Sequence, residues 1–179
     1  MTNINKNIKS FVISAVFIGL AFVASKIKII PMPYGGSVTF FSMLILSLPP
    51  YFFGWKVGLV STFAYSLLKT VLGGYIYTPF QVVLDYIFSY TIFFIVGFFN
   101  NKKYGLEKGL VLAAFLRLVF TCLSGYLFFR MYAPEGINPI IYTIIYNGSY
   151  IGVEVLITLV VLSVPKVKKL IEMGKSYQK

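Results

Sequence analysis

Residues 79–99 read PFQVVLDYIFSYTIFFIVGFF, twenty-one residues with one charged side chain, Asp85. A helix of that length rises about 30 Å, the thickness of a bilayer's hydrocarbon core. The stretch therefore predicts a transmembrane helix. It also makes Asp85 a functional candidate at once, because a carboxylate inside a bilayer costs several kcal/mol unless it faces a partner or a cavity. Five further apolar runs lie on either side, at 8–25, 38–53, 57–72, 109–130 and 139–164. Pro49, Pro50 and Gly54 mark the boundary between the second run and the third, and Lys56 with the proline pair argues against merging them. The expectation is an all-α integral membrane protein, one domain over residues 1–179, with six transmembrane helices.

Composition agrees. Of 179 residues, 58% are hydrophobic and 12% charged, against about 25% charged in a typical soluble domain. A soluble protein of this size leaves too much of its chain at the water boundary to hide so much apolar surface. The net charge of +11 would suggest a nucleic-acid partner in a soluble protein, but the lysines follow the loops. With the N-terminus inside, the cytoplasmic segments hold eleven: Lys6, Lys9, Lys56, Lys102, Lys103, Lys108, Lys166, Lys168, Lys169, Lys175 and Lys179. The other side holds Lys26, Lys28 and Arg130. That asymmetry places both termini in the cytoplasm and needs no nucleic acid. The first apolar run is too long for a cleaved signal peptide, and no small-x-small site follows it.

A single cysteine, Cys122, and no histidine exclude a disulfide framework, make a metal site or resident cofactor improbable, and remove the commonest general base. No Gly-rich loop ending in Gly-Lys-Ser/Thr is present, so the chain does not hydrolyse ATP itself. The segments expected outside, 26–37, 73–78 and 131–138, are rich in Gly, Pro and aromatic residues. Such sequences form either tight turns or a lid over an outward-facing pocket.

Four charges fall within the predicted spans: Lys69, Asp85, Arg117 and Glu154. They form either two ion pairs that lock helices together or a site in which at least one acid serves a ligand. The last run carries Tyr142, Tyr146 and Tyr150 at i, i+4 and i+8, with Asn147 among them and Glu154 on the same face. Tyr142 suits an interfacial aromatic belt. Tyr150 lies too deep for one, and rings that stack a flat ligand while hydroxyls and an amide read its edge explain it better. In the first run Ala15 and Gly19, with Ala21 and Ser25, offer small residues that let another helix approach closely.

Six pieces, spread in order along nearly the whole chain, carry a resemblance. They are Met32-Pro-x-Gly-Gly-Ser-Val38, Trp55-Lys-x-Gly58, the run from Gly73 to Asp85-Tyr86, Arg117 with Ser124-Gly125, Phe128-Phe-x-x-Tyr-Ala-Pro134, and Tyr142-x-x-x-Tyr-Asn-x-x-Tyr150. Together they resemble the thiamine-specific substrate-binding (S) components, the ThiT family, of energy-coupling factor (ECF) transporters. The resemblance implies a six-helix protein that captures a vitamin from outside. It would deliver the vitamin with a membrane coupling subunit and two ATPase subunits, docking through Ala15 and Gly19. It implies a lid at Tyr34 and a ligand site comprising Tyr75, Asp85, Tyr86, Thr121, Phe129, Tyr142, Asn147 and Glu154. Aromatic rings would enclose a planar ligand while Asp85, Thr121 and Asn147 bond its polar edge. The chain departs from the family at Thr121, where the family has His, at Lys69, where it has Gln, and at Thr78, where it often has His. An ammonium at 69 suits a cationic thiazolium poorly unless an acid pairs with it.

Other classes remain to be weighed. The same fold could serve another pyrimidine or small vitamin. A stand-alone proton-coupled carrier would use Asp85 or Glu154 as its proton site. An intramembrane enzyme would need a nucleophile or metal beside those acids, and the sequence offers neither; the expectation is a transport subunit, not an enzyme.

Overall fold

The computed structural model describes residues 3–176, with side chains from residue 8 onward except that of Tyr34. Its elements in chain order are α1 (Asn3–Lys26), β1 (Lys28–Pro31), β2 (Ser37–Thr39), α2 (Ser42–Phe53), α3 (Trp55–Gly73), α4 (Pro79–Phe99), α5 (Gly105–Phe128), α6 (Pro139–Ser163) and α7 (Pro165–Ser176). Four of these are long and apolar enough to cross a membrane: Ile8–Lys26 of α1, then α4, α5 and α6. Their outward faces carry bare apolar side chains such as Val12, Phe115, Leu156 and Val160, each more than half exposed. Water would penalise that surface and acyl chains accept it.

The second predicted helix is shorter than the sequence suggests. Residues 38 and 39 belong to β2, which pairs antiparallel with β1 (Ile30 opposite Val38, Pro31 opposite Ser37), and Phe41 turns the chain with φ of +56°. The twelve residues of α2 rise about 18 Å, well short of a bilayer core. Pro49 and Pro50 lie buried inside α2, which ends at Phe53 as the second run does. The break falls at Gly54, whose φ of +84° suits glycine and separates α2 from α3.

α4 changes its winding along its length. It is α-helical over Pro79–Val82, π-wound over Val83–Phe88, α-helical over Ser89–Thr91 and 3-10-wound over Ile92–Phe99. The wide turn contains Asp85 and Tyr86, as π-turns at functional positions often do. The starts of α4 and α6 are built alike: Thr78 Oγ1 accepts the Gln81 N–H at 3.1 Å and Asn138 Oδ1 accepts the Ile140 N–H at 2.9 Å. Each cap is followed by a proline at the first helical position.

The apolar core, with Met43, Leu46, Phe93, Val96 and Leu110 essentially sealed from solvent, joins α2, α4 and α5. At the end of the molecule away from the hairpin, α7 is tied to the bundle. Lys168 pairs with Glu107 at 3.0 Å, Tyr51 donates to Glu172 at 2.6 Å, and Lys175 lies over the Tyr51 ring and donates to the Asn100 carbonyl.

Candidate functional site

A cavity of about 500 Å³ opens at the hairpin end, within the range of small-molecule sites. Ser37 and Thr39 of β2 and Ser42 at the start of α2 line it along with helix side chains, so polar hairpin atoms and helix side chains meet in one space. Tyr75, Asp85, Tyr86, Thr121, Phe129, Tyr142, Asn147 and Glu154 all line it. The side chain of Tyr34 lies outside the described residues; its neighbours Gly35 and Gly36 are in the wall.

The α4 wall is organised through Gln81, one helical turn before Asp85. Its amide donates to Asp85 Oδ2 at 2.6 Å, and its Oε1 accepts the Tyr77 N–H at 3.1 Å. Gln81 is almost wholly buried, so it holds the acid and the preceding loop in one geometry. Tyr86 accepts the Tyr75 N–H at 2.7 Å and its ring lies near parallel to that of Tyr90, 6.5 Å away. Phe129 packs between Tyr77 and Tyr132, with centroids at 5.9 and 6.2 Å. On α6, Tyr142 stacks on Tyr146, and Tyr146 meets Tyr150 edge-on. Aromatic faces thus stand on three sides.

The polar positions differ in what they leave open. Asn147 accepts from Tyr150 Oη at 2.8 Å and donates to the Thr143 carbonyl at 3.0 Å, so Tyr150 holds the amide in place. Thr121 donates its hydroxyl within its own helix, to the carbonyls of Arg117 and Leu118, both at 3.1 Å; its oxygen lone pairs remain open to the cavity. Glu154 is fully engaged. Its carboxylate accepts the Thr39 N–H (3.0 Å), the Thr39 hydroxyl (2.8 Å), the Ser42 hydroxyl (3.1 Å) and the Met43 N–H (3.1 Å). It therefore fastens β2 and the first turn of α2 to α6. A carboxylate near a helix N-terminus is favoured by the free N–H groups there.

The four charges that the sequence places within predicted spans form no ion pair among the described residues, whose single pair is Lys168–Glu107. Lys69 donates to Ser25 Oγ at 2.8 Å and touches neither acid. Arg117 lies over the Tyr90 ring at 4.6 Å and donates to its hydroxyl at 3.2 Å, while its buried Nε has no partner. The helix-locking reading of these charges is overturned; the bundle brings all four to one cavity. Lys26, Lys28, Gln81 and Tyr90 also line it and escaped the sequence reading. Gln81 had a signal, its i, i+4 spacing to Asp85; the lysines looked like loop charge.

The small-residue stripe of α1 splits between two faces. Ala21 and Ser25 are buried, whereas Ala15 and Gly19 are exposed. A Cβ on Gly19 would meet nothing within 4 Å. No group of three or more potential metal ligands occurs among the described residues.

Comparison with known proteins points one way. Residues 11–173 match the family model described as thiamine transporter protein. A relative from Bacillus subtilis (strain 168), named thiamine transporter ThiT, is 29% identical over 145 residues, covering 73% of this chain and 75% of the relative. A second with that name, from Lacticaseibacillus paracasei, is 27% identical over 111 residues, 55% of each chain. The solved structure of ThiT from Listeria monocytogenes has the same fold, with a TM-score of 0.75 at 21% identity over 90% of this chain and 98% of that one.

Proposed function

The chain belongs to the thiamine transporter protein family and is a multi-pass protein of the prokaryotic plasma membrane; from that premise we propose that it is the thiamine-binding S component of an ECF-type importer. One observation carries this reading: a small-molecule cavity walled by aromatic rings, in which the Asp85 carboxylate accepts from Gln81, has the Ser124 hydroxyl beside it, and keeps acceptor capacity to spare. Rings of Tyr86, Phe129 and Tyr142 would stack a flat heterocycle, and Asp85, Thr121 and Asn147 would bond its polar edge. Tyr34, in the turn between the two hairpin strands, is assigned as the lid.

The proposal extends to topology and partners. Residues 1–179 form one domain with six spans, α2 and α3 counting among them, and the lysine asymmetry sets both termini in the cytoplasm. The cavity then faces outward, where vitamin is captured. A coupling subunit would dock on α1 at Ala15 and Gly19, whose exposure and empty surroundings support a close helix approach. Two ATPase subunits supply the energy, and this chain itself catalyses nothing.

Calorimetric titration of the detergent-purified protein with thiamine tests the binding reading. Tight one-to-one binding is expected, and no heat with thiamine alongside a response to another pyrimidine would move the assignment within the same fold. Co-purification with the coupling and ATPase subunits, abolished by Gly19→Leu, tests the docking reading. Uptake into vesicles that lack any ATPase would instead favour a stand-alone carrier.

A further inference from the structure

The end of the bundle away from the cavity is unbalanced in charge. Lys102, Lys103, Lys108, Lys166 and Lys169 are all exposed there. The two acids of that end are already taken, Glu107 by Lys168 and Glu172 by Tyr51. None of the five lysines enters an ion pair among the described residues.

α7 is laid across this end by three contacts. The chain turns out of α6 at Val164, whose backbone is extended, and Pro165 opens the new helix. Lys168 then reaches Glu107 in the first turn of α5 and Glu172 reaches Tyr51 in the last turn of α2. Lys175 reaches the Asn100 carbonyl just past α4. A helix tied to the ends of three others lies across them, not alongside. Its inner side holds Ile171, packed on the core, and Gly174, where a Cβ would stand 3.6 Å from Phe52. Its outer side brings together Lys166, Lys169, Leu170 and Met173 at i, i+3, i+4 and i+7, with Leu170 67% and Met173 44% exposed. Cationic and apolar side chains together on one open face suit the boundary between lipid headgroups and acyl chains. There a lysine stem lies in the apolar layer while its ammonium meets the headgroups.

α5 offers a groove beside it. Lys108, Val111, Leu112 and Phe115 also fall at i, i+3, i+4 and i+7, and with Glu107 they line an open groove of about 500 Å³. Phe115 stands about 10 Å along the helix from Lys108, so the groove runs from a cation toward the middle of α5. Lys168 is bonded to Glu107, the residue before Lys108. The Lys166–Lys169 turn of α7 therefore lies beside the head of the groove.

We propose that this corner binds an anionic glycerophospholipid, its phosphate among Lys108, Lys166 and Lys169 and one acyl chain along Val111, Leu112 and Phe115. Charge complementarity selects this occupant. A zwitterionic headgroup brings its own ammonium toward the lysines, whereas an anionic one brings phosphate oxygens that take bonds from several ammonium groups at once. An apolar groove continuous with the cations asks for an acyl chain, which a free phosphate or an acidic peptide lacks. The inference rests on the membrane location and is independent of which vitamin fills the cavity.

The test uses the full-length protein in detergent, equilibrated with mixed micelles holding equal amounts of phosphatidylglycerol and phosphatidylcholine. Native mass spectrometry counts the lipid retained. Phosphatidylglycerol should be retained at least fivefold in preference. A lysine near an anionic lipid surface is worth about fivefold in affinity, so Lys166→Gln with Lys169→Gln should cut phosphatidylglycerol binding at least tenfold. Lys102→Gln with Lys103→Gln removes the same charge from the same end but off the groove, and should cut it less than threefold. Thermal midpoints in lipid-free detergent keep loss of fold apart from loss of lipid. Should the α7 pair lower the midpoint, Lys108→Gln on α5 carries the same test, with about a fivefold loss expected. Equal retention of the two lipids, or equal losses from the two lysine pairs, overturns the site and leaves only diffuse surface charge. A dimer in detergent that the α7 substitutions dissociate would assign the face to a second copy of the chain, and also overturns it.

Discussion

Two acids line one cavity and live in opposite conditions. Glu154 on α6 accepts four hydrogen bonds from β2 and the start of α2 and is 3% exposed. Asp85 on α4 accepts one recorded bond, from Gln81, in a turn widened by π-winding. The same functional group is thus a fastener on one wall and an open acceptor on the other. Within a bilayer both count as costly charges. What separates them is how many donors the fold brings to each, and that difference predicts which substitution injures the fold and which injures binding.

The sharpest way to break the contrast is Glu154→Ala. It leaves two backbone N–H groups and two hydroxyls without their acceptor, at about 1–3 kcal/mol for each left unmet. The hydroxyls can bond each other, as Thr39 and Ser42 already approach to 2.6 Å. A net loss of about 3–5 kcal/mol is expected, read as a large fall in the thermal unfolding midpoint in detergent. An unchanged midpoint would show that Glu154 is no fastener.

Asp85→Ala should do the reverse. Thiamine affinity falls at least tenfold, which is about 1.4 kcal/mol, while the midpoint falls less than with Glu154→Ala, since the change leaves one buried donor, the Gln81 amide, without its acceptor, at about 1–3 kcal/mol. Calorimetry and thermal unfolding on one preparation separate the two effects. A collapse of stability with Asp85→Ala would make the two acids equivalent.

Gly36→Ala gives the smallest and most mixed response. The Gly36 N–H donates to Tyr146 Oη at 3.0 Å, and a Cβ there would lie 2.8 Å from that oxygen and 2.9 Å from the Tyr150 ring. The hairpin must shift while the Glu154 anchor holds, so a cost of about 1 kcal/mol and a severalfold loss of affinity are expected. Thermal unfolding and titration read both. Stability lost without affinity would detach the hairpin turn from the ligand site.

Much of this was legible in the chain. Apolar runs delimited α4 to the residue and α6 to within one, because the length of a spanning run is set locally by the bilayer. The start of α2 was misplaced because Val38 and Thr39 are as apolar or as strand-compatible as their neighbours, and only pairing with Ile30 and Pro31 makes them a strand. The second run ended at Phe53, where α2 ends, with Gly54 at the break; the proline pair beside it lies within the helix. Asp85, Asn147 and the α6 tyrosines stood out as polar groups in lipid-length runs, and all of them line the cavity.

The sequence by itself determined that this is a helical membrane protein with polar and aromatic residues concentrated on particular helix faces, because hydropathy and helical period act over neighbouring residues. Only the tertiary structure decided which acid is open and where the cations gather. The donors to Glu154 lie 111 to 115 residues away along the chain, and Lys69 reaches Ser25 across 44. A carboxylate's availability depends on how many donors surround it, and that number exists only once distant segments are folded together.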